Sequence, residues 1–177
     1  MLEFLGCEYI LSNKKEDILS ATKLLFPGQG HFEQAMKNLH QSGLIDTIKT
    51  SINNGVDFLG ICLGLQILFE KSEEAPGIEG LGIIEGEVKK FKIGKTPQIG
   101  WNKIKTTSNN SFLSDDYFYF VNSYYVEPKD KNIISSTTNY EIEFCSSIQK
   151  GNLSAVQFHP EKSSTAGINF FKKWLEL

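Results

Sequence analysis

The sequence predicts an α/β domain: a mostly parallel sheet with helices on both faces, plus an antiparallel section in its second half. Three observations carry this. Between residues 22 and 72 short apolar runs alternate with helical patterns, as strands joined by crossover helices do. From Gly80 to Phe158 the apolar runs are strand-like and are separated by turn-forming stretches. The chain has 177 residues, 40% of them hydrophobic, which is enough to bury one sizeable core. No repeat, low-complexity tract or linker divides it, so residues 1–177 read as a single domain.

Each element has a local reason. MLEFLG gives barely a turn of helix, ended by Gly6. CEYILS (7–12) reads as a strand and KEDILSA (15–21) as a short helix. TKLLF (22–26) is a strand that runs into the turn PGQG (27–30). HFEQAMKNLHQSG (31–43) and LIDTIKTSINNG (44–55) are helices, each stopped by a glycine. VDFLGI (56–61) is a buried strand, and LGLQILFEKS (63–72) is a helix after it. Crossovers between the parallel strands are expected to be right-handed. In the second half the strands are LGIIEGEVKKF, KIKTT, YFYFVNSYYV, NIISSTT, IEFCSSIQ and LSAVQF, with EPKDKN and QKGN among the turns. The last segment, SSTAGINFFKKWLEL, is a helix. Ser163, Ser164 and Thr165 are its cap candidates, and Ile168, Phe171, Trp174 and Leu175 share one face.

Composition narrows the function. The net charge is −3 with no basic stretch, so nucleic acid is not an expected partner. No run approaches the roughly 20 apolar residues that span a bilayer, so no membrane is expected either. The first residues carry no basic segment or small-residue cleavage site of a secretory signal. Cys7, Cys62 and Cys145 are odd in number and widely spaced. They fit neither a disulfide framework nor a zinc site, and they suggest reduced thiols in the cytoplasm. No metal and no organic cofactor is expected. Cys7 and Cys145 read as packing residues in strands. His31 and His40 read as surface residues of a helix.

The chemistry concentrates at Gly60-Ile61-Cys62-Leu63-Gly64, a G-x-C-x-G sequence between a strand and a helix. It is the thiol counterpart of the G-x-S-x-G elbow. A nucleophile on so sharp a turn needs neighbours without side chains. The helix that follows favours negative charge at the sulfur, and the Leu63 amide can face an oxyanion. Taken alone, Cys62 is as readily a packed core thiol. The stretch VQFHPEKS alters that balance by placing His159 and Glu161 at the end of an apolar strand. His159 can take the proton of Cys62, and Glu161 can hold the imidazole in the right tautomer. PGQG is a third piece, a glycine turn whose amides can approach a ligand closely.

With PGQG, GICLGLQ and QFHPEKS in that order, the chain resembles the class I glutamine amidotransferases, a flavodoxin-like α/β family. PQIGWN (97–102) and YFVNSYY (119–125) narrow the likeness to glutaminase subunits of imidazole glycerol phosphate synthase. The resemblance covers nearly the whole chain. It implies that Cys62 attacks the side-chain amide of glutamine, that His159 protonates the leaving ammonia and that Glu161 orients His159. It implies an oxyanion site at Leu63, Gly28 and Gln29. It implies a glutamine site at Gly30, Gln66, Ser123 and Tyr124. It also implies a (β/α)8-barrel cyclase subunit that receives the ammonia in a heterodimer, with Gln98, Trp101, Asn102 and Asn122 as candidates for that interface.

The sequence departs from the family pattern at three positions. Gln29 stands where valine is common, and Gln98 and Asn122 stand where histidines are usual. The departures bear on the oxyanion turn and on partner contact. They keep open a paralogous subunit that feeds a sugar-amidating enzyme for surface polysaccharide, and a truncated, inactive binding subunit. The resemblance further implies an opening strand and an Asp-Tyr-Gly-x-Gly-Asn loop that the sequence does not contain. Loss of a strand from the middle of the sheet costs several kcal/mol.

Overall fold

The computed structural model describes residues 1–176. The elements in chain order are α1 (Lys15–Ser20), β1 (Lys23–Gly28), α2 (Phe32–Ser42), α3 (Ile45–Asn53), β2 (Asp57–Cys62), α4 (Leu63–Gln66) and β3 (Phe69–Ser72). There follow β4 (Ile84–Lys90), β5 (Gln98–Thr106), β6 (Tyr117–Asn122), β7 (Tyr124–Pro128), β8 (Ile134–Tyr140), β9 (Ile142–Lys150), β10 (Leu153–Val156) and α5 (Ser164–Glu176).

The strands form one sheet, ordered β1-β2-β10-β9-β7-β4-β3, with β8, β5 and β6 branching from β9. The ladders β1/β2, β2/β10 and β3/β4 are parallel, and the other six described are antiparallel. The antiparallel ladders all lie within the Gly80–Phe158 stretch whose runs suggested them, and they outnumber the parallel ones. The parallel part is concentrated around β2, which is paired on both sides and buried from Phe58 to Cys62. That accounts for its nearly continuous apolar sequence.

Two apolar layers cover the two faces. On one, Phe32, Met36 and Leu39 of α2 and Ile48 and Ile52 of α3 pack with Phe58, Leu153 and Ala155. On the other, Phe170, Phe171 and Trp174 of α5 pack with Leu59, Ile61, Val156, Phe118 and Phe158. Phe58 and Leu59 fall on opposite faces because strand side chains alternate. Gly43 ends α2 in the left-handed region at φ 65°, and its N–H reaches the carbonyls of Leu39 and His40.

Two elements differ from expectation. CEYILS forms no ladder. Tyr9, Ile10 and Leu11 are exposed, and Cys7 does not pack within a strand. Apolar alternation alone does not hold a strand whose amides lack a neighbour. LGLQILFEKS is helical only through Gln66. Beyond it, the carbonyls of Ile67, Leu68 and Phe69 accept from the N–H groups of Leu81, Ile83, Ile84 and Gly82, and Phe69–Ser72 becomes a strand beside β4. A short apolar run fits either structure, and tertiary pairing decides. In addition, KIKTT is the end of a longer strand that begins at Gln98, and YFYFVNSYYV breaks at Ser123 into two strands.

Candidate active site

Cys62 ends β2 at φ 53°, ψ −103°, a conformation that costs a non-glycine residue about 1–3 kcal/mol. Its flanking glycines explain how the turn closes. A Cβ at Gly60 would lie 2.5 Å from the Gly64 carbonyl oxygen, and one at Gly64 would collide with the Phe26 carbonyl oxygen. The helix after the elbow is a single turn. Its first amides, that of Leu63 among them, have no acceptor within the helix.

The candidate base arrives from the neighbouring strand. β10 runs parallel to β2, with Val156 beside Ile61, so the chain beyond β10 passes Cys62. Tyr119 and Ser163 fix the backbone of His159. The His159 N–H donates to the Tyr119 carbonyl at 2.8 Å, and the Ser163 hydroxyl donates to the His159 carbonyl at 2.6 Å. The same hydroxyl accepts from the Tyr119 N–H at 3.0 Å, so Ser163 serves as a clamp and not as a helix cap. His159 Nδ1 lies 2.7 Å from Glu161 Oε1. Burial pushes the imidazole's pKa down, but hydrogen bonds with Cys62 and Glu161 outweigh it and raise the value to about 9. Burial also works against the charge of Glu161, and the bond to His159 reverses that and lowers its pKa. The protonated form of His159 is thus favoured by its contact with the Glu161 carboxylate.

PGQG lies alongside. The β1/β2 register sets Gly28 opposite Cys62, and a Cβ at Gly28 would stand 2.8 Å from the Leu63 Cβ. Pro27, Gly28, Gln29, Ile61, His159 and Glu161 line one pocket of about 250 Å³. A larger groove of about 740 Å³ runs past Glu70, Lys71, Glu87 and Lys129. It contains none of these residues, and its charges pair among themselves, Lys71 with Glu87 and Lys129 with Glu70, each at 3.2 Å.

Of the expected glutamine contacts, Gln66 and Tyr124 meet directly, Gln66 Nε2 donating to the Tyr124 carbonyl at 3.4 Å. Ser123 precedes Tyr124, and its carbonyl accepts from the Phe91 N–H just beyond β4. Gly30 closes the PGQG turn at φ 121°. Two residues were missed in the sequence. Glu74, its side chain 13% exposed, accepts from the Phe32 N–H at 2.8 Å just beyond Gly30. A Glu-Glu pair after an apolar run looks like a solvated face, and only the tertiary fold brings it under the PGQG turn. Gln157, fully buried, links Gln66 to Cys62. The available signal was its spacing: two residues before His159, it lies on the same side of the extended chain.

The four interface candidates divide. Gln98 and Asn122 are directly opposed in the β5/β6 ladder and buried, 3% and 5% exposed, which corrects their reading as contact residues. They lie on the inward face of the hairpin, where alternation sends every second side chain. Asn102 is spent within the chain, donating to the Asn139 carbonyl and accepting from the Lys103 N–H. Trp101 alone remains exposed, at 52%, stacked edge-on against Tyr119. Ile99 and Tyr117 are exposed on the same hairpin.

The glutamine amidotransferase class-I family matches residues 4–176. Imidazole glycerol phosphate synthase subunit HisH of Methanocaldococcus jannaschii is 46% identical over 95% of this chain and 87% of its own. Subunit HisH 1 of Methanococcus maripaludis is 44% identical over 99% and 91%. Among solved structures, a glutamine amidotransferase crystal structure superposes with a TM-score of 0.79 at 20% identity, covering 99% of this chain and 88% of the other.

Proposed function

Because the chain belongs to the class I glutamine amidotransferases, and within them to the HisH subunits of imidazole glycerol phosphate synthase, we propose a residue-by-residue account of how it releases ammonia from glutamine. The chain is the glutaminase subunit of that enzyme of histidine biosynthesis. Cys62 sulfur attacks the side-chain amide carbon of glutamine, and the carbonyl electrons move onto oxygen. The Leu63 amide and the backbone of Gly28 and Gln29 receive that oxyanion. Collapse expels the amide nitrogen, which takes a proton from His159 and leaves as ammonia. Water, deprotonated by His159, then opens the thioester, releases glutamate and restores the thiol. Glu161 keeps Nδ1 of His159 occupied throughout, so that Nε2 handles the protons.

Substrate recognition follows from the surrounding polar atoms. Gly30, Gln66, Ser123 and Tyr124 flank the amino-acid end of glutamine. Glu74 supplies the carboxylate that an α-ammonium needs. The ammonia passes to a (β/α)8-barrel cyclase, and the exposed Ile99, Trp101 and Tyr117 on the β5–β6 hairpin, reached from His159 through Tyr119, form the apolar centre of the docking surface.

The observation that carries this account is the elbow conformation of Cys62 beside a clamped His159–Glu161 pair, with the PGQG turn lining the same pocket. The test is glutamate release from glutamine by the chain together with its cyclase. Cys62→Ala is expected to abolish it. Full activity in that variant would overturn the assignment.

A further inference from the structure

The catalytic account leaves one buried polar side chain unused. Gln157 is 0% exposed and sits one residue beyond β10. Its N–H donates to the Ser146 carbonyl at 2.9 Å, which fixes its backbone, and Phe158 behind it is locked into the α5 core. Its side-chain oxygen accepts from Gln66 Nε2 at 3.0 Å. Its side-chain nitrogen points at Cys62 sulfur, 3.5 Å away.

We propose that Gln157 is a positioning residue that couples glutamine recognition to the nucleophile, by fixing the orientation of the Gln66 amide and by holding an N–H against the Cys62 sulfur. The proposal rests on the reading of Cys62 as nucleophile and Gln66 as a substrate contact.

The donor count supports it. A side-chain amide nitrogen has two N–H groups. Those of Gln66 go to the Gln157 side-chain oxygen and to the Tyr124 carbonyl. Only the Gln66 oxygen is then left for a ligand, so Gln66 can meet only a hydrogen-bond donor, such as the α-ammonium or an N–H of an amino-acid amide. Without Gln157 the Gln66 amide is free to turn over and present N–H groups where an acceptor is needed. At its other end Gln157 gives the sulfur a neutral donor whose strength grows as negative charge collects there. A carboxylate would accept from Gln66 but could not donate to sulfur. An apolar side chain would do neither. Among side chains of this length, only an amide serves both ends.

The two ends can be separated by substitution and measured in the intact subunit with its cyclase. Gln157→Glu keeps the acceptor for Gln66, loses the donor to sulfur and adds charge beside it. Its kcat is expected to fall about 100-fold with KM for glutamine within about threefold, the pattern of an interaction formed in the transition state. Gln157→Met keeps volume and loses both bonds. Its KM is expected to rise about tenfold in addition to a fall in kcat, because the Gln66 amide is no longer held. Alkylation of Cys62 by iodoacetamide at neutral pH reads the sulfur end without substrate, and is expected to slow several-fold in Gln157→Glu.

A merely structural Gln157 would lower the melting temperature of both variants and leave their kcat and KM shifted alike. That result, or an unchanged alkylation rate in Gln157→Glu, would overturn the proposal. A wild-type chain that releases no glutamate, or a Cys62→Ala variant that still does, would instead defeat the catalytic reading beneath it, so the two failures are distinguishable.

Discussion

Replacing Glu161 tests the His159 pair most directly. The Nδ1 to Oε1 separation is 2.7 Å, and the histidine is 2% exposed while the glutamate side chain is 35% exposed. A hydrogen bond to a charged group contributes about 1.5–3 kcal/mol net, and the partial exposure of Glu161 places this one near about 1.5–2. Glu161→Gln removes the charge but leaves an oxygen that can still accept from Nδ1–H. At 1.36 kcal/mol per decade, kcat/KM for glutamate release should fall about 10–30-fold. Glu161→Ala also strands a buried N–H, at a further cost of about 1–3 kcal/mol, so the loss should reach about 70- to 5,000-fold. The pH dependence supplies an independent sign. His159 is raised to about 9 by Cys62 and Glu161 against the opposing effect of burial, so the imidazolium that protonates ammonia is lost as pH rises through about 9. Without the Glu161 charge this alkaline limb should move to lower pH. The assay is glutamate release coupled to glutamate dehydrogenase, with saturating cyclase, from pH 6 to 10. Both variants within twofold of wild type, with the alkaline limb in place, would refute the reasoning.

Further outcomes follow from the same geometry. Cys62→Gly relieves a backbone strain of about 1–3 kcal/mol, partly offset by the lost thiol, and calorimetry should show a melting temperature raised by about 2–4 °C in a dead enzyme. Gly60→Ala forces a Cβ to within 2.5 Å of the Gly64 oxygen, and should cost about 1–3 kcal/mol in urea denaturation and most of the glutaminase activity. Trp101→Ala should raise the cyclase concentration that half-saturates stimulated glutaminase activity by about tenfold or more, as loss of an aromatic anchor does. Because His159 is raised on folding, the stability it contributes is complete below its ordinary value near 6.5 and declines as pH climbs through about 9. Denaturation midpoints followed over that range should fall less in Glu161→Gln than in the wild type.

The candidate site was read from short local motifs, and the fold from longer patterns. Cys62, His159 and Glu161 stand in short motifs whose chemistry needs adjacent residues, so local spacing was enough to single them out as candidates, and the fold brings His159 and Glu161 together at 2.7 Å. Glu74 and Gln157 make contacts far along the chain, the first with the Phe32 N–H more than forty residues away and the second with Gln66, and no local pattern marks such a contact. Gln98 and Asn122 were misassigned for a related reason. The motif gives their order along the chain, while burial depends on which face of the hairpin turns inward. In the fold, glycine stops and alternation located α2, α3, β2 and the hairpins. The runs 7–12 and 67–72 went wrong because an apolar run becomes whatever its neighbours can hydrogen-bond, and those neighbours lie elsewhere in the chain.

The lateness of β10 has a consequence for how the subunit is made. β2 is complete by residue 62, yet the strand that seals one of its sides begins only at Leu153, and Gln157 and Cys62 lie 95 positions apart. During synthesis, at about 5–20 residues per second, Cys62 therefore emerges several seconds before His159. On the proposed mechanism a ribosome-bound chain carries the thiol without its histidine, so unfinished subunits are expected not to consume glutamine. The same interval leaves one edge of β2 unpaired, and the final quarter of the chain both supplies His159 and covers that aggregation-prone edge.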